Sequence, residues 1–272
     1  MNKFFSQKTV IITGATSGIG KALALHLLQY GANVAVCGRD EKKLKELKDI
    51  SNSSNQLLLI QADVSIESDC KQLIDTCVQQ FGGIDILINN AGISMRALFN
   101  EVDLTVLKKT MDINFWGTVY CTKYALPYIL KSKGSVVGIS SIAGYKGLPC
   151  RTGYSSSKFA MQGFLESLRI EMLHEGVHVL IASPGFVASN IRNVALNATG
   201  NAQKETPLDE KKLMSAEECA QRILNAIEKK KRTLIMGTQG KLTVWLNKFF
   251  PAFVDKQAYK LFANEPDSPL KK

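Results

Sequence analysis

The sequence predicts a single α/β domain with a doubly wound parallel sheet, and three observations lead to this fold class. Short apolar runs rich in β-branched residues alternate with segments of helical period along most of the chain. Glycines or other small residues follow several of these runs, as is typical where a backbone must pass close to a ligand. The 272-residue length and the 45% hydrophobic content are sufficient for a large buried core.

The first predicted unit consists of a strand, a glycine-rich turn and a helix. Thr9 to Ile12 is a short apolar run that stops at Thr13-Gly14, and the run TGATSGIG then carries glycines at positions 14, 18 and 20. The segment that follows has helical period and is closed by Gly31. Because this order directs backbone N–H groups and a helix N-terminus at a phosphate, it predicts a dinucleotide-binding site.

The second predicted strand, Asn33 to Cys37, carries information about the cofactor. Sites selective for NAD place an acidic residue near the end of this strand, where it binds the ribose 2′-hydroxyl. This chain has Arg39 there, and a guanidinium binds a 2′-phosphate through a forked, charge-assisted contact. The sequence therefore favours NADP(H) over NAD(H).

The third and fourth predicted strands supply further ligand-facing positions. Leu57 to Gln61 ends just before Asp63 and Val64, which are placed to meet the adenine end of a cofactor. The run IDILINN is the fourth strand, and it passes into Ala91-Gly92, small residues that let a backbone approach a ligand closely. Ligands of such sheets bind at the carboxyl ends of the strands, where all these residues fall.

A candidate acid/base group lies at the start of a long predicted helix. Tyr154 and Lys158 are four residues apart and project from one helix face, while Ser141 directly follows the preceding strand, GSVVGIS. A phenol has an ordinary pKa of about 10, and a nearby ammonium group lowers it towards working pH. Tyrosine and lysine are often spaced in this way by chance, so the interpretation depends on the other motifs.

These motifs together resemble the short-chain dehydrogenase/reductase family over roughly Lys8 to Thr238. The matching segments, in chain order, are TGATSGIG (Thr13 to Gly20), NNAG (Asn89 to Gly92), Asn114 in MDINFWG, Ser141, YSSSK (Tyr154 to Lys158) and SPG (Ser183 to Gly185). The resemblance implies a Rossmann-like fold and an NADP(H)-dependent oxidoreductase. Such an enzyme interconverts a carbonyl and a secondary alcohol on a small or lipid-like substrate.

The resemblance also implies residue roles. Tyr154 would donate a proton to the carbonyl oxygen, Ser141 would hold that oxygen, and Lys158 would lower the tyrosine pKa and bind the nicotinamide ribose. Asn114 would support a water-linked proton path, which completes the catalytic set. With the positions identified above, the expected cofactor-binding residues are Gly14, Thr16, Ser17, Gly18, Ile19, Gly20, Arg39, Asp63, Val64, Asn90, Ala91, Gly92, Tyr154, Lys158, Pro184, Gly185, Val187 and Ser189. Since some NADP-linked members have a basic residue where this chain has Ser17, selectivity for the 2′-phosphate would rest mostly on Arg39.

The last part of the chain is expected to shape the substrate site. The catalytic domain is predicted to span residues 1–238, with a polar, weakly patterned segment at about 189–212 that reads as a mobile lid over the substrate or as a disordered loop. Ser215 and Glu218 predict a capping box for the helix that follows.

Residues 239–272 form a C-terminal amphipathic extension in which aromatic side chains alternate with lysines, and Pro251 interrupts any single helix. Three interpretations stay open: a cover for a dimer interface or a substrate pocket, an anchor on an anionic membrane, or ordinary core. The extension resembles that of membrane-associated members of the family, which hints at a hydrophobic substrate.

Composition limits the remaining functions. The formal charge of +10 suits anionic ligands, but no aromatic-plus-basic stacking pattern supports nucleic-acid binding. Six dispersed cysteines and three dispersed histidines suggest neither a metal site nor disulfides, which fits a reducing cytoplasm. The start of the chain does not read as a signal peptide, and no run is long enough to span a bilayer. A homodimer or homotetramer is expected from the family, and a non-enzymatic dinucleotide sensor or scaffold is the alternative function.

Overall fold

The computed structural model describes residues 3–51, 55–188, 190–203 and 213–271. Seven parallel strands form one sheet in the order β3-β2-β1-β4-β5-β6-β7. The strands are β1 (Thr9–Thr13), β2 (Asn33–Gly38), β3 (Leu57–Gln61), β4 (Ile86–Asn89), β5 (Ser135–Ile139), β6 (His178–Ser183) and β7 (Thr233–Ile235). The order reverses after β3, where the chain returns to pair β4 with β1. This reversal opens a crevice at the carboxyl ends of β1 and β4, which is where ligands bind in such sheets.

Helices cover both faces of the sheet. They are α1 (Gly18–Gln29), α2 (Glu41–Ser51), α3 (Glu67–Phe81), α4 (Leu104–Met111), α5 (Gly117–Ser132), α6 (Thr152–Glu171), α7 (Ala216–Glu228), α8 (Thr238–Phe249) and α9 (Pro251–Ala263). Alternate residues of β1 point to opposite faces, as the strand period requires. Val10 and Ile12 pack with α1, α2 and α7, whereas Ile11 packs with α3, α5 and α6. The sheet is therefore buried on both faces, and the predicted doubly wound, Rossmann-like fold is confirmed.

Several predicted boundaries agree closely with the structure. β3 has the predicted bounds, and β1 and β2 each extend one residue further than expected. Gly31 lies two residues after α1 with a φ of 79°, a left-handed conformation that suits glycine at a helix end. Of the predicted capping box, the Ser215 hydroxyl accepts the backbone N–H of Glu218 at 3.0 Å, while the Glu218 carboxylate lies 2.6 Å from Arg222.

The C-terminal extension folds as two helices, because Pro251 begins α9 directly after α8 ends. One side of this pair is buried through Val244, Val254 and Phe262, whereas several aromatic side chains on the other side are more than half exposed. Within the described ranges, no helix combines the length and the apolarity needed to cross a bilayer. Likewise, no cluster of three or more His, Cys, Asp or Glu side chains among the described residues could hold a metal ion.

Candidate active site

The glycine turn after β1 is locked to the end of β4. The Thr13 hydroxyl accepts the backbone N–H groups of Asn90 and Ala91, both at 3.0 Å. In return, the Asn90 amide donates to the carbonyl groups of Thr13 and Gly14 at 2.9 and 3.0 Å. A Cβ at Gly14 would lie 2.7 Å from the Ala91 Cα, closer than real Cβ atoms approach. The two turns therefore form one rigid floor at the crevice, and glycine is required at position 14.

Helix α1 begins at this floor. Ser17 is extended and precedes the helix, whose first turn reads GIGK. The backbone N–H groups of a first helical turn have no partner within the helix, and the helix dipole favours an anion in front of them. A Cβ at Gly20 would lie 2.5 Å from the Gly14 carbonyl oxygen, so the helix packs against its own turn. Residues expected to cradle the phosphates line the cleft together, namely Gly14, Thr16, Ser17, Gly18 and Ile19.

The end of the cleft that is predicted to hold adenine contains the predicted cation and a carboxylate. An Arg39 Nη1 atom lies 3.8 Å from Asp63 Oδ2, and the Arg39 side chain is 58% exposed. The other Asp63 oxygen accepts from the backbone N–H and the hydroxyl of Ser65 at 3.0 and 2.7 Å. Val64 and Lys43 line the same end of the cleft. Arg39 therefore sits at the position that the sequence assigned to it, in a loose contact at the protein surface.

The three predicted acid/base residues meet at the carboxyl end of β5. Ser141 follows β5 and begins a short 3₁₀ turn (Ile142–Gly144), where its Oγ accepts the N–H of Ala143 at 3.1 Å. Tyr154 lies in the first turn of α6 and hydrogen-bonds to Ser141. The Lys158 Nζ lies 5.8 Å from the centre of the Tyr154 ring. All three side chains line the same cleft as the glycine turn.

The electrostatics differ from the sequence-based expectation. Burial raises the pKa of Tyr154, while the hydrogen bond to Ser141 and the positive charges of Arg151 and Arg192 lower it. Lys158, expected to be the cation that lowers this pKa, instead donates to the Ile139 carbonyl oxygen at 2.8 Å. Burial also lowers the pKa of Lys158 itself, to about 8. The long lysine side chain reaches past the phenol to the strand end, which the helical spacing alone did not predict.

Asn114 lies in a π-helical turn (Asp112–Trp116) between α4 and α5, an element that often marks functional sites. Its side-chain oxygen accepts the N–H of Ile93 at 2.8 Å, and its amide donates to the Ile93 carbonyl and the Ser157 hydroxyl, both at 2.9 Å. A Cβ at Gly92 would lie 3.2 Å from Asn114 Oδ1 and 3.4 Å from the Lys158 Nζ. Asn114 thus ties the end of β4 to α6, and its place in a proton path stays a prediction.

The remaining predicted residues follow β6. Pro184, Gly185 and Val187 line the cleft, and the Pro184 carbonyl oxygen accepts the N–H of Ile142 at 3.3 Å. Ser189 lies outside the described residues, as do residues 204–212 of the predicted lid. The described part of that segment is attached through Leu196, whose N–H donates to the Ser94 carbonyl oxygen at 2.9 Å.

The cleft has a volume of about 1090 Å³ and continues from the cofactor half to the C-terminal helices. Thr243 of α8 and Val254, Leu261 and Phe262 of α9 form part of its wall. This arrangement matches the pocket-cover interpretation of the extension, while the exposed aromatic face leaves the membrane interpretation open. The sequence reasoning missed Arg151, although its position three residues before Tyr154 was a usable signal.

Comparisons with known proteins agree with this geometry. The sequence pattern of the family described as short chain dehydrogenase matches residues 8–199. The 11-beta-hydroxysteroid dehydrogenase 1A of Arabidopsis thaliana is 34% identical over 257 residues, which cover 91% of this chain and 73% of that protein. Dehydrogenase/reductase SDR family member 7B of Mus musculus is 35% identical over 239 residues, covering 86% and 74% of the two chains.

A solved structure shares the fold. It is the crystal structure of a short chain dehydrogenase/reductase from Burkholderia phymatum in complex with NAD, with a TM-score of 0.82 and 21% sequence identity. The superposition covers 94% of this chain and 97% of the other. Together with the family match, these similarities confirm the resemblance seen in the motifs. The chain belongs to the short-chain dehydrogenase/reductase family and is an oxidoreductase of the type that uses a nicotinamide dinucleotide.

Proposed function

We propose that this protein is an NADP(H)-dependent oxidoreductase that interconverts a carbonyl and a secondary alcohol on a hydrophobic substrate. The observation that carries the proposal is the meeting of Ser141, Tyr154 and Lys158 in the cleft that also contains the glycine turn. The apolar side chains that α9 adds to the cleft wall, Val254, Leu261 and Phe262, support a lipid-like substrate rather than a sugar or another strongly polar one.

Different residues of the cleft orient the substrate, transfer the proton and bind the cofactor. The bound dinucleotide supplies the hydride in reduction and accepts it in oxidation. The Ser141 hydroxyl orients the carbonyl oxygen, and the Tyr154 hydroxyl donates a proton to that oxygen as negative charge develops on it. Lys158, held at the end of β5, binds the ribose next to the nicotinamide. Oxidation of the alcohol uses the same groups in the reverse order.

The preference for NADP(H) rests on Arg39. Its guanidinium is more than half exposed and contacts Asp63 at 3.8 Å, so it can turn towards a 2′-phosphate without breaking a buried contact. Asp40 follows it, but the Asp40 carboxylate accepts the N–H of Lys43 at the start of α2, at 3.2 Å. Lys43 adds a second positive charge to this end of the cleft.

Replacing Arg39 tests the cofactor preference. A charge-assisted hydrogen bond contributes about 1.5–3 kcal/mol, so Arg39→Ala should raise the KM for NADPH by about 10-fold to 100-fold. The KM for NADH should change by less than about threefold, because NADH has no 2′-phosphate. Steady-state kinetics with both cofactors measure the two values. Equal effects on NADPH and NADH would remove the argument for NADP(H).

Replacing Tyr154 tests the chemistry. A screen of ketones, aldehydes, 3-oxoacyl thioesters and steroids, followed at the reduced-cofactor absorbance, first identifies a substrate. Tyr154→Phe should then lose turnover while binding NADPH as the wild type does, measured by the quenching of protein fluorescence. An active Tyr154→Phe protein would refute the proton-transfer role. A wild-type protein that binds NADPH but reduces or oxidises nothing would favour the sensor or scaffold function.

The exposed face of α8 and α9 supports peripheral contact with an anionic membrane. Trp245, Phe249 and Phe253 are each more than half exposed, and Lys241 and Lys248 flank them on α8. Aromatic rings with neighbouring lysines bind well at a membrane interface. The protein should therefore co-sediment with vesicles that contain phosphatidylserine.

A double variant tests this contact without removing the cleft wall. Trp245→Ser with Phe249→Ser should abolish the sedimentation, and the matched change Leu173→Ser, at an exposed apolar residue after α6, should leave it intact. Absence of sedimentation by the wild type would end the membrane proposal.

A homodimer or homotetramer is the assembly that we propose. Helix α6 exposes Phe159 and Ile170, and Trp116 is exposed just before α5, so apolar surface is available on these long helices. Light scattering coupled to size-exclusion chromatography measures the mass. A monomer at micromolar concentration would contradict the proposal.

A further inference from the structure

A carboxylate from the C-terminal segment lies between two arginines close to the candidate active site. Glu265 follows α9, and its two oxygens accept from Arg151 Nη2 at 3.0 and 3.2 Å. The Arg96 Nε lies 3.3 Å from Glu265 Oε2. The three side chains are only 12%, 7% and 11% exposed for Arg151, Glu265 and Arg96. Removing one partner of a buried ion pair leaves an uncompensated charge, so this contact constrains both arginines strongly.

Arg151 occupies a position where a cation is unfavourable without such a partner. It immediately precedes α6, where the positive end of the helix dipole repels a guanidinium. Burial lowers the pKa of Arg151, and the Glu265 charge opposes that effect. The Arg151 guanidinium also lies 4.4 Å from the centre of the Phe262 ring in α9. The C-terminal segment thus holds this cation by an ion pair and a ring contact at once.

A second set of contacts connects the same helices to the same loop. Lys146 forms an ion pair with Asp255 of α9, and the Asn247 amide of α8 donates to the Tyr145 carbonyl oxygen at 3.2 Å. The loop from Tyr145 to Arg151 joins Ser141 to Tyr154. Because Asp255 is 65% exposed, its ion pair contributes little. The buried Glu265 contact is therefore the stronger of the two connections.

We propose that Glu265 is a positioning residue for Tyr154. Through its contact with Arg151 it fixes a positive charge at the start of α6, three residues before the phenol, and joins the substrate wall to the catalytic helix. The proposal rests on the proposed function of Tyr154 as the proton donor. It assigns to the C-terminal segment a part in the proton transfer that none of the motifs indicates.

The pKa of Tyr154 shows whether Glu265 holds Arg151 in the cleft. The groups that face the Tyr154 phenol are the Ser141 hydroxyl and the charges of Arg151, Arg192 and Lys158. The Arg151 charge lowers the pKa of Tyr154, against the effect of burial. If neutralising Glu265 frees Arg151 to leave the cleft, the pKa of Tyr154 rises. If Arg151 stays in place, the loss of a nearby negative charge lowers that pKa or leaves it unchanged.

The experiment is a pH titration of the seven tyrosines by NMR with ¹³C-labelled tyrosine. The Tyr154→Phe spectrum assigns the signal, and the titration needs no turnover. Glu265→Gln and Arg151→Met should both raise the Tyr154 pKa, and the double variant should match Arg151→Met because both changes act through one cation. The control, Asp255→Asn, breaks the exposed ion pair and should leave the Tyr154 pKa unchanged.

Kinetics supply the second measurement. Glu265→Gln should lower kcat for ketone reduction by about tenfold and change the KM for NADPH less than twofold, because the cofactor half is untouched. An unchanged or lowered Tyr154 pKa in Glu265→Gln would overturn the proposal. If Glu265→Gln does not fold, Glu265→Asp, whose side chain is one methylene shorter, replaces it. A raised Tyr154 pKa in Glu265→Asp supports the proposal, and an unchanged value overturns it.

The two proposals fail in different ways. If Tyr154→Phe still turns over substrate, the proposed function fails. The kcat of Glu265→Gln then no longer reports on proton transfer from Tyr154. The tyrosine titration would still report whether Glu265 fixes the Arg151 charge beside the phenol. If Tyr154→Phe is inactive but the titration shows no effect of Glu265, only the positioning role is refuted.

Discussion

The buried Lys158 should reduce the stability of the protein at neutral pH, and replacing it by methionine should restore that stability. The side chain is only 3% exposed, and burial lowers its pKa from 10.5 to about 8. Each tenfold change in proton affinity is worth about 1.4 kcal/mol, so the folded state is disfavoured by about 3 kcal/mol at pH 7. Methionine has a similar volume but cannot donate to the Ile139 carbonyl oxygen. The loss of this hydrogen bond lowers the free energy of unfolding by about 1 kcal/mol. Lys158→Met should therefore raise the free energy of unfolding by about 2 kcal/mol.

The pH dependence provides the more specific test. Between about pH 8 and pH 10.5 the unfolded chain holds a proton on Lys158 that the folded protein has released. The wild type therefore gains stability as the pH rises through this range, whereas Lys158→Met does not. The free energy of unfolding of Lys158→Met should exceed that of the wild type most at pH 7, and the difference should be smaller at pH 9.5.

Urea unfolding followed by circular dichroism at the two pH values measures the difference, with Lys123→Met, at an exposed lysine of α5, as the matched control. The free energy of unfolding of the control should lie within about 0.5 kcal/mol of the wild-type value. A Lys158→Met protein that is less stable than the wild type at pH 7, or an advantage that does not depend on pH, would refute the reasoning.

Two further predictions concern the floor of the cleft. Gly14→Ala should lower the free energy of unfolding by about 1–3 kcal/mol and weaken NADPH binding, because position 14 has a φ of 66° and its Cβ would collide with the end of β4. Urea unfolding and fluorescence titration check this, and Gly83→Ala, where a Cβ would meet no described atom within 4 Å, is the control. Asn114→Ala should lower the free energy of unfolding by about 1–3 kcal/mol and reduce kcat, because it leaves Ile93 and Ser157 without their buried partners. A thermal melt and a turnover assay measure both effects. An unchanged melting temperature and an unchanged kcat would contradict the proposed role of Asn114 in connecting the end of β4 to α6.

Most of the sheet could be predicted from the sequence because its signals are local. Apolar runs, their spacing and the glycines after them identified β1, β2 and β3 to within one residue at each end, whereas β4 begins two residues after the predicted start. The glycine turn was equally readable, since the conformation at Gly14 and the close packing at Gly20 restrict the residue type directly. Pro251 marked the break between α8 and α9 for the same reason.

The electrostatics of the site could not be predicted in this way. Helical spacing correctly brought Lys158 to the same face as Tyr154, but the backbone carbonyl at the end of β5 competes for the lysine, and no sequence pattern shows this competition. The contact between Arg151 and Glu265 joins residues 114 positions apart, so periodicity carries no information about it. The charges that act on the phenol come from two separate segments, which contain Arg151 and Arg192, and only the folded chain shows that both are near.

The part of the cleft wall that α8 and α9 contribute lies in a different region of the chain from the predicted nucleotide site. The residues predicted to bind the nucleotide and the proposed proton donor all precede residue 199, where the family match ends, whereas part of the cleft wall comes after it. Substitutions in the last two helices can therefore change the range of accepted compounds while the proposed nucleotide cradle is preserved. Grafting this terminal segment onto a related enzyme offers a route to new selectivity, provided that the arginine pair which receives it is transferred as well.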